Sequence, residues 1–433
     1  MKLRSICVAL FLILSIGSAQ ASSISQEQVL FNWYHLILRL VRHTATYSPP
    51  LASRNFAYLG VASYEAIASG DDHLNSLASQ LHDLKSLPTR EKGKAYDEAL
   101  VLNATLAQSM QNFLGNTGPS GQNALRAETT KMQNDVAQGV APDVAKRSEA
   151  YGKAIATQIF AWSKNDGGAS ITNMGFPLKY ELKTGPAHWV PTNQQGLQQV
   201  PLLPNWDKNR PFAMPSNAAC DLPAPPEYSE DKASEFYKQA QEVHDIKNAL
   251  TPEQRAIARF WSDDPMLSPT PPGHWVSIVI QISDRNHLPA VKTAEALARV
   301  GIAVADAFIG CWHTKFEYDM VRPVTYIKKV IDPKWETLLT TPPFPEYPSG
   351  HSSQSGAAAV VLTSMFGNHF AFDDATHIHD NIPARHFESF NAAADEAAIS
   401  RLYGGIHFRA AVERGLTQGQ CIGKYAAELK MAK

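Results

Sequence analysis

Apolar residues recur at helical spacing along most of the chain, and alternating, strand-like runs are nearly absent. Five stretches of the first half show this pattern: Gln26 to Tyr47, Pro50 to Ala68, Arg90 to Leu114, Asn123 to Gln138 and Pro142 to Lys164. Thr251, followed by Pro252 and by Gln254 three positions on, is a helix-start signal of the capping-box type. The pattern predicts an all-α fold of packed helical bundles.

One long segment breaks the helical pattern. Residues 165–225 are rich in Pro, Gly, Asn and Gln, which predicts an irregular segment that wraps the helices, with a plain linker as the alternative. We therefore expect an N-terminal helical region at 22–245 that contains this segment, and a catalytic helical bundle at 246–433.

The N-terminus has the features of an export signal. Lys2 and Arg4 precede an apolar run at 6–16, and the small-x-small triplet 19–21 follows. This pattern predicts a signal peptide at 1–21 and an exported protein, periplasmic or secreted, with a membrane anchor as the alternative. No later apolar run reaches the roughly 18 residues that a membrane-spanning helix needs.

Overall composition narrows the possible partners. The 433 residues are 44% hydrophobic and 18% charged, and the formal net charge is −2, so no basic field is available to attract nucleic acid. Outside the leader the cysteines are Cys220, Cys311 and Cys421. Their spacing fits no zinc site, and it leaves one disulfide and three buried thiols equally open.

The first candidate motif runs from Lys315 to Pro323. Lys315 and Arg322 lie seven positions apart, which on one helix is about two turns, so their side chains should share a face. Pro323 should end or bend that helix. Two cations beside the aromatic Trp312 and Phe316 suit a multivalent oxyanion. Taken alone, the pair also fits an ordinary solvated face.

The second candidate motif is Pro348-Ser349-Gly350-His351, a turn in front of an Ala- and Val-rich stretch at 352–366 that should be helical. Free backbone N–H groups at such a helix start favour an anion. Ser349 adds a donor and His351 an acid–base group. An ordinary N-cap with a surface histidine is the alternative.

The third candidate motif contains Arg401 and, six positions later, His407. That spacing does not place both side chains on one face of an unbroken helix. Gly404-Gly405 supplies the break that redirects His407. A helix corner with a core histidine is the alternative.

Taken together and in this order, the three motifs resemble the signature of the vanadium haloperoxidase and type 2 phosphatidic acid phosphatase superfamily. The flanking stretches His188-Trp189-Val190-Pro191-Thr192 and Pro271-Pro272-Gly273-His274-Trp275 are similar to those of secreted bacterial haloperoxidase-like proteins. The resemblance implies the same helical-bundle architecture and a site that takes vanadate or phosphate.

The resemblance also implies roles for individual residues. The oxyanion-binding positions are Lys315, Arg322, Ser349, Gly350 and Arg401. His407 is the implied vanadium ligand and, with His351 and Lys315, a catalytic residue. The implied pocket wall and support comprise Trp312, Phe344 and Asp264.

We expect a vanadium-dependent haloperoxidase that uses hydrogen peroxide, halide and an organic acceptor. The alternative is a soluble acid phosphatase without a cofactor, which hydrolyses phosphate esters through a phosphohistidine at the same position. A degenerate anion-binding protein is a third class.

One position departs from the family pattern. The Asp that usually follows the third-motif histidine by four residues is Ala411 here. Either Glu413, Asp264 or a backbone carbonyl replaces it as the partner that orients His407, or the site binds its anion more weakly. His377 and His379 fit a polar loop better than a metal site.

Overall fold

The computed structural model describes residues 24–169, 171, 175–192 and 199–433. The predicted signal peptide lies outside these residues. The described chain forms thirteen α-helices and one small antiparallel sheet. The elements are α1 (Gln26–Arg42), α2 (Pro49–Ala68), α3 (Glu98–Leu114), α4 (Pro119–Ala137), α5 (Pro142–Ser163), α6 (Glu235–Asn248), α7 (Pro252–Phe260), α8 (Thr270–Arg285), α9 (Ala290–Tyr318), α10 (Pro323–Val330), α11 (Gly350–Phe366), β1 (Phe372–Asp374), β2 (Arg385–Phe387), α12 (Phe390–Tyr403) and α13 (Arg409–Ala427). The predicted all-α fold is confirmed.

Helix ends differ from the sequence prediction where a capping side chain decides them. α3 begins at Glu98 rather than at Arg90, because the Asp97 carboxylate accepts the backbone N–H of Leu100 and caps the helix there. α1 ends at Arg42, five residues before the predicted end. The predicted start at Thr251 is correct, and its capping box is present.

The predicted irregular segment contains, in its described part, a 3₁₀ turn at Trp206–Lys208. It is attached to the long helix α9 through Asp306, whose buried carboxylate accepts three consecutive backbone N–H groups. These come from Phe212, Ala213 and Met214, at 2.6, 2.8 and 2.8 Å. The segment therefore packs on α9. The boundary between the two expected regions near residue 245 stays a prediction.

Helix α9 is the central element, and it packs against α2, α11 and α13. The contact with α2 is close because each helix presents a glycine to the other. A Cβ on Gly301 would lie 2.8 Å from the Phe56 carbonyl oxygen, and one on Gly60 would lie 2.7 Å from that of Leu297. Any side chain at these positions would force the two backbones apart.

Helices α11 and α13 are similarly close, which fixes the start of α11. A Cβ on Gly419 would lie 1.9 Å from the Ser353 carbonyl oxygen.

Cys220 and Cys421 form a disulfide that joins the irregular segment to α13, with Cα atoms 6.0 Å apart. Cys311 is a buried free thiol. Of the two alternatives left open by the cysteine spacing, the structure has the single disulfide.

Within the described ranges, no helix combines the length and the apolar character needed to cross a membrane.

Candidate active site

Lys315 and Arg322 do not lie on one helix, so this part of the sequence prediction was wrong. α9 ends at Tyr318, where Asp319 adopts a left-handed conformation with φ 49°. Arg322 is extended (φ −77°, ψ 151°), as residues before proline prefer. Pro323 begins α10 instead of ending α9, because its fixed φ and missing N–H suit the first helical position.

The ammonium group of Lys315 is fully buried and satisfied by backbone oxygens. Its Nζ donates to the carbonyls of Pro345 and Glu346, at 2.8 and 2.9 Å, and also to that of Pro348. Burial lowers the pKa of Lys315 to about 7, with Arg322 acting in the same direction. Lys315 thus holds the segment in front of α11 and contributes positive charge when protonated.

Arg322 reaches the third motif directly. Its Nη1 donates to the Ile406 carbonyl at 2.9 Å and lies 3.1 Å from Nε2 of His407, while Nε donates to the Phe344 carbonyl at 2.9 Å. Nη2 is buried and has no hydrogen-bond partner among the described residues. A buried guanidinium nitrogen without a partner is costly, and an oxyanion beside it would relieve that cost.

The second motif forms the predicted start of α11. Ser349 is the N-cap, and its Oγ accepts the Ser352 N–H at 3.3 Å. The backbone N–H of Ser349 donates to the Ala411 carbonyl at 3.0 Å, which ties the turn to α13. Gly350 and His351 follow in the first turn, and both line the cavity described below.

The third motif contains the predicted break. α12 ends at Tyr403, and Gly405 adopts φ 75°, which favours glycine. The chain then turns back, so that His407 comes to lie beside Arg322 before α13 begins. Burial, together with Arg322 and the other two cations of the motifs, lowers the pKa of His407 well below its usual value.

Glu346, which sequence reasoning missed, orients His407. Its Oε1 lies 2.8 Å from His407 Nδ1 and also accepts the Phe408 N–H at 2.8 Å. The three expected substitutes for the missing Asp were therefore wrong, and Glu413 contacts Arg409 instead. Since a carboxylate accepts, Nδ1 carries the proton and Nε2 keeps its lone pair. Burial raises the pKa of Glu346 to about 7.

Arg401 lines the same cavity as His407. Its Nη2 donates to the Trp261 carbonyl and its Nε to Ser400 Oγ, the latter at 3.0 Å. Burial lowers the pKa of Arg401 to about 10, and the carboxylates of Asp263 and Asp264 oppose that shift. The predicted support, Asp264, lies at the cavity, and its neighbour Asp263 is the more buried of the two.

A cavity of about 220 Å³ opens over these groups. Its polar floor contains Gly350, His351, Arg401 and His407. Its walls are mostly apolar and come from distant parts of the chain, among them Ala45, Pro49, Leu202, Phe308, Phe344 and Ile406. Trp312 stands behind this wall, with its ring centroid 4.8 Å from that of Phe344. Lys315, Arg322 and Ser349 lie beneath the floor.

A helical bundle that gathers buried cations around a histidine whose unprotonated ring nitrogen accepts from Arg322 defines a class of oxyanion-binding protein. Comparison with known proteins agrees. A family model described as the VCPO second helical-bundle domain matches residues 295–432. The vanadium chloroperoxidase of Curvularia inaequalis is 24% identical over 487 residues, which cover 88% of this chain and 78% of the relative.

Two solved structures extend the comparison. One, titled the first bacterial vanadium-dependent iodoperoxidase, has a TM-score of 0.86 and 36% identity, covering 96% of this chain and 99% of that one. A holo-type bacterial vanadium-dependent chloroperoxidase shares the fold, with a TM-score of 0.67 at 18% identity over 95% of this chain and 94% of that one. The chain therefore belongs to the vanadium-dependent haloperoxidases, a family of enzymes.

Proposed function

We propose that this chain binds vanadate at His407 and oxidises halide with hydrogen peroxide, passing the oxidised halogen to an organic acceptor. The observation that carries the proposal is the orientation of the His407 ring. Glu346 holds the Nδ1 proton at 2.8 Å, so the Nε2 lone pair faces Arg322. A ring nitrogen presented in this way can ligate a metal centre.

The residues around this nitrogen fit vanadate. The unpartnered Nη2 of Arg322 is a donor that an oxyanion would satisfy. Arg401 and the Gly350 N–H at the start of α11 add positive charge and a backbone donor on the cavity side. Bound vanadate supplies a Lewis-acidic centre for the activation of peroxide.

We assign acid–base work to His351. It lines the cavity, and its Nε2 has no hydrogen-bond partner within the described chain, so this atom is free to take up and release a proton. Burial and the nearby Arg401 lower the pKa of His351 well below its usual value. The neutral ring is therefore a base at neutral pH, and oxidation of halide by peroxide consumes protons.

The proposal is tested on purified protein first stripped of bound oxyanions. Vanadate is then added with hydrogen peroxide and iodide, bromide or chloride, and halogenation of a phenol dye is followed. We expect vanadate-dependent halogenation with iodide, since the 36% identical relative is a vanadium-dependent iodoperoxidase. The same preparation is assayed with p-nitrophenyl phosphate.

Two results would contradict the proposal. Phosphate release without halogenation would favour the phosphatase alternative, which none of the relatives named above supports. Halogenation that does not depend on added vanadate would exclude the cofactor. His407→Ala should abolish the halogenation, and His379→Ala is its matched control because His379 is an exposed histidine outside the cavity.

We further propose that the protein works outside the reducing cytosol. The disulfide between Cys220 and Cys421 supports this location, because such bonds persist in oxidising compartments. A fusion of residues 1–21 to a reporter that functions only after export tests the predicted leader.

A further inference from the structure

A second histidine cluster lies beside the cavity and is not used by the function proposed above. Its centre is Asp263, which follows α7 and is 2% exposed. The carboxylate accepts from His274 Nδ1, at 3.0 Å to Oδ1 and 2.9 Å to Oδ2. Oδ1 also accepts from His377 Nε2 at 3.1 Å. Two histidines from distant parts of the chain therefore hold one buried carboxylate.

His274 carries a positive charge. Its other nitrogen, Nε2, donates to Asp374 Oδ2 at 2.7 Å, so both ring nitrogens face carboxylates. Burial opposes protonation, but Asp263 and Asp374 outweigh it and raise the pKa of His274 to about 10. In the same way, burial would raise the pKa of Asp263, yet the two histidines hold it far below its usual range. Asp263 is thus anionic.

Aromatic packing fixes the orientation of both rings. Trp261 stacks on His274 with centroids 4.4 Å apart and an interplanar angle of 19°. Phe260 contacts the rings of His274 and His377 through T-shaped contacts at 5.4 and 5.5 Å. On its outer side, His377 Nδ1 lies 3.4 Å from Asp380 Oδ2. The rings cannot turn away from Asp263 without disrupting this packing.

The same carboxylate faces the acid–base histidine of the cavity but does not bond to it. The distance from Asp263 Oδ2 to His351 Nε2 is 3.9 Å, beyond a hydrogen bond. His351 Nε2 is buried and has no hydrogen-bond partner in the part of the chain that the structure describes. The hydrogen bonds from His274 and His377 anchor the carboxylate at this distance, so Oδ2 does not reach the His351 ring.

None of the other charged groups near Asp263 favours a protonated His351. Arg401 approaches from α12 and disfavours protonation of His351, and His274 has the same sign of effect. Asp264 is adjacent in sequence and acts on Arg401. Asp263 is the carboxylate whose charge favours a protonated His351. Burial and Arg401 are the larger causes of the low pKa of His351, and the distance of Asp263 from Nε2 sets how far its charge offsets them.

We propose that His274 and His377 act as positioning residues that hold Asp263 anionic but away from His351, and so keep His351 a weak base. We call the three residues the carboxylate clamp: Asp263, His274 and His377. The inference rests on the proposed function only in naming His351 as the acid–base group. His274 and His377 act through Asp263, not on a substrate.

The test measures proton uptake by His351 in the full-length, vanadate-free protein. Ring-¹⁵N histidine NMR is recorded over the pH range in which the protein stays folded, and the His351 signal is assigned by its loss in His351→Gln. Three variants are compared with the wild type: Asp263→Asn, His377→Leu and His377→Gln. His379→Leu is the matched control, because this exposed histidine lies two positions from His377.

The variants should change the titration of His351 in opposite directions. His377→Leu removes one of the hydrogen bonds that anchor Asp263, so the carboxylate can approach Nε2 and raise the titration midpoint by about one pH unit, a tenfold change in the protonation constant. Asp263→Asn removes the charge and lowers the midpoint. His377→Gln keeps an N–H donor near the position of Nε2. Its protonation constant for His351 should therefore lie within about threefold of the wild-type value.

Three outcomes would overturn the inference. One is an unchanged or lowered His351 midpoint in a folded His377→Leu protein, with folding checked by circular dichroism. Another is an equal shift in His379→Leu. The third is one equivalent of a divalent metal in wild-type protein that is lost in His377→Leu, because the clamp residues would then be ligands. The NMR readout needs no enzymatic activity, so it stands apart from any failure of the proposed function.

Discussion

Two histidine–carboxylate pairs flank one cavity, and they are built differently. His407 Nδ1 lies 2.8 Å from Glu346 Oε1, whereas His351 Nε2 lies 3.9 Å from Asp263 Oδ2. The carboxylate of Glu346 bonds the His407 ring and the backbone next to it. The carboxylate of Asp263 is occupied by two other histidines.

The difference fits what each ring has to do. A metal ligand needs one fixed tautomer, and a short bond to Nδ1 imposes it. A group that accepts a proton during the reaction must be neutral beforehand, and burial, Arg401 and the lack of a bond to Asp263 keep the His351 ring neutral. The same two residue types therefore give a metal ligand with a fixed tautomer at His407 and a base without a hydrogen bond to its carboxylate at His351.

Removal of His407 should break the comparison most completely. His407→Ala deletes the ring that Glu346 orients, and we expect loss of vanadate-dependent halogenation and vanadate affinity weakened by more than about 100-fold, since even outer partners of ligands cost about 10- to 100-fold. Calorimetric titration with vanadate measures the loss of affinity. Full activity in His407→Ala would show that another residue is the ligand.

Glu346→Ala should distinguish the effect of Glu346 on the orientation of the His407 ring from the effect of its negative charge. Vanadate, which bonds to the ring nitrogen, is expected to bind about 10- to 100-fold more weakly because the tautomer is no longer fixed. Sulfate forms no such bond, and loss of a buried negative charge near Arg322 should leave its affinity unchanged or higher. Equal weakening of both anions would mean that Glu346 has only a structural role.

The pH dependence of sulfate binding should sharpen the comparison further. Lys315 and Glu346 both titrate at about pH 7, and rising pH neutralises the cation and ionises the acid. Both changes disfavour an anion, so affinity should fall by up to about tenfold per pH unit for each linked proton as pH rises through this value. Glu346→Gln should show a shallower fall; a flat profile in the wild type would contradict the assignment.

The smallest effect is expected at the ion pair between Arg42 and Asp380, which lies on the outer side of His377. Arg42 bonds Asp380 at 3.0 Å, and the side chains are 26% and 22% exposed. Partly exposed ion pairs contribute little free energy, so Arg42→Gln should change the protonation constant of His351 by less than about threefold. A larger change, in the same NMR titration, would show that the clamp extends to the protein surface.

Local sequence signals predicted the fold and the three motifs well, because capping residues, glycines and apolar spacing act over a few positions. Gly404-Gly405 broke α12 as expected, and Ser349 caps α11. The error at Lys315 and Arg322 came from reading a constant helical spacing across Asp319, whose left-handed conformation the sequence does not signal.

The partners of the two cavity histidines could not be predicted, because they depend on contacts between distant segments. Glu346 lies 61 positions from His407, and Asp263 lies 88 positions from His351. The available signal for Glu346 was an acid within the proline-rich run at 341–348, directly before the second motif. An acid in such an apolar stretch is buried only with a partner.

The cavity combines a rim at Ala45 and Pro49, before and at the start of α2, with a floor that ends at His407. Its geometry therefore exists only when the first and last helices are assembled together. Through thermodynamic linkage, an anion bound at the floor stabilises the N-terminal helices as well, although it touches none of their core residues. Vanadate availability would in this way also govern how long the folded protein persists.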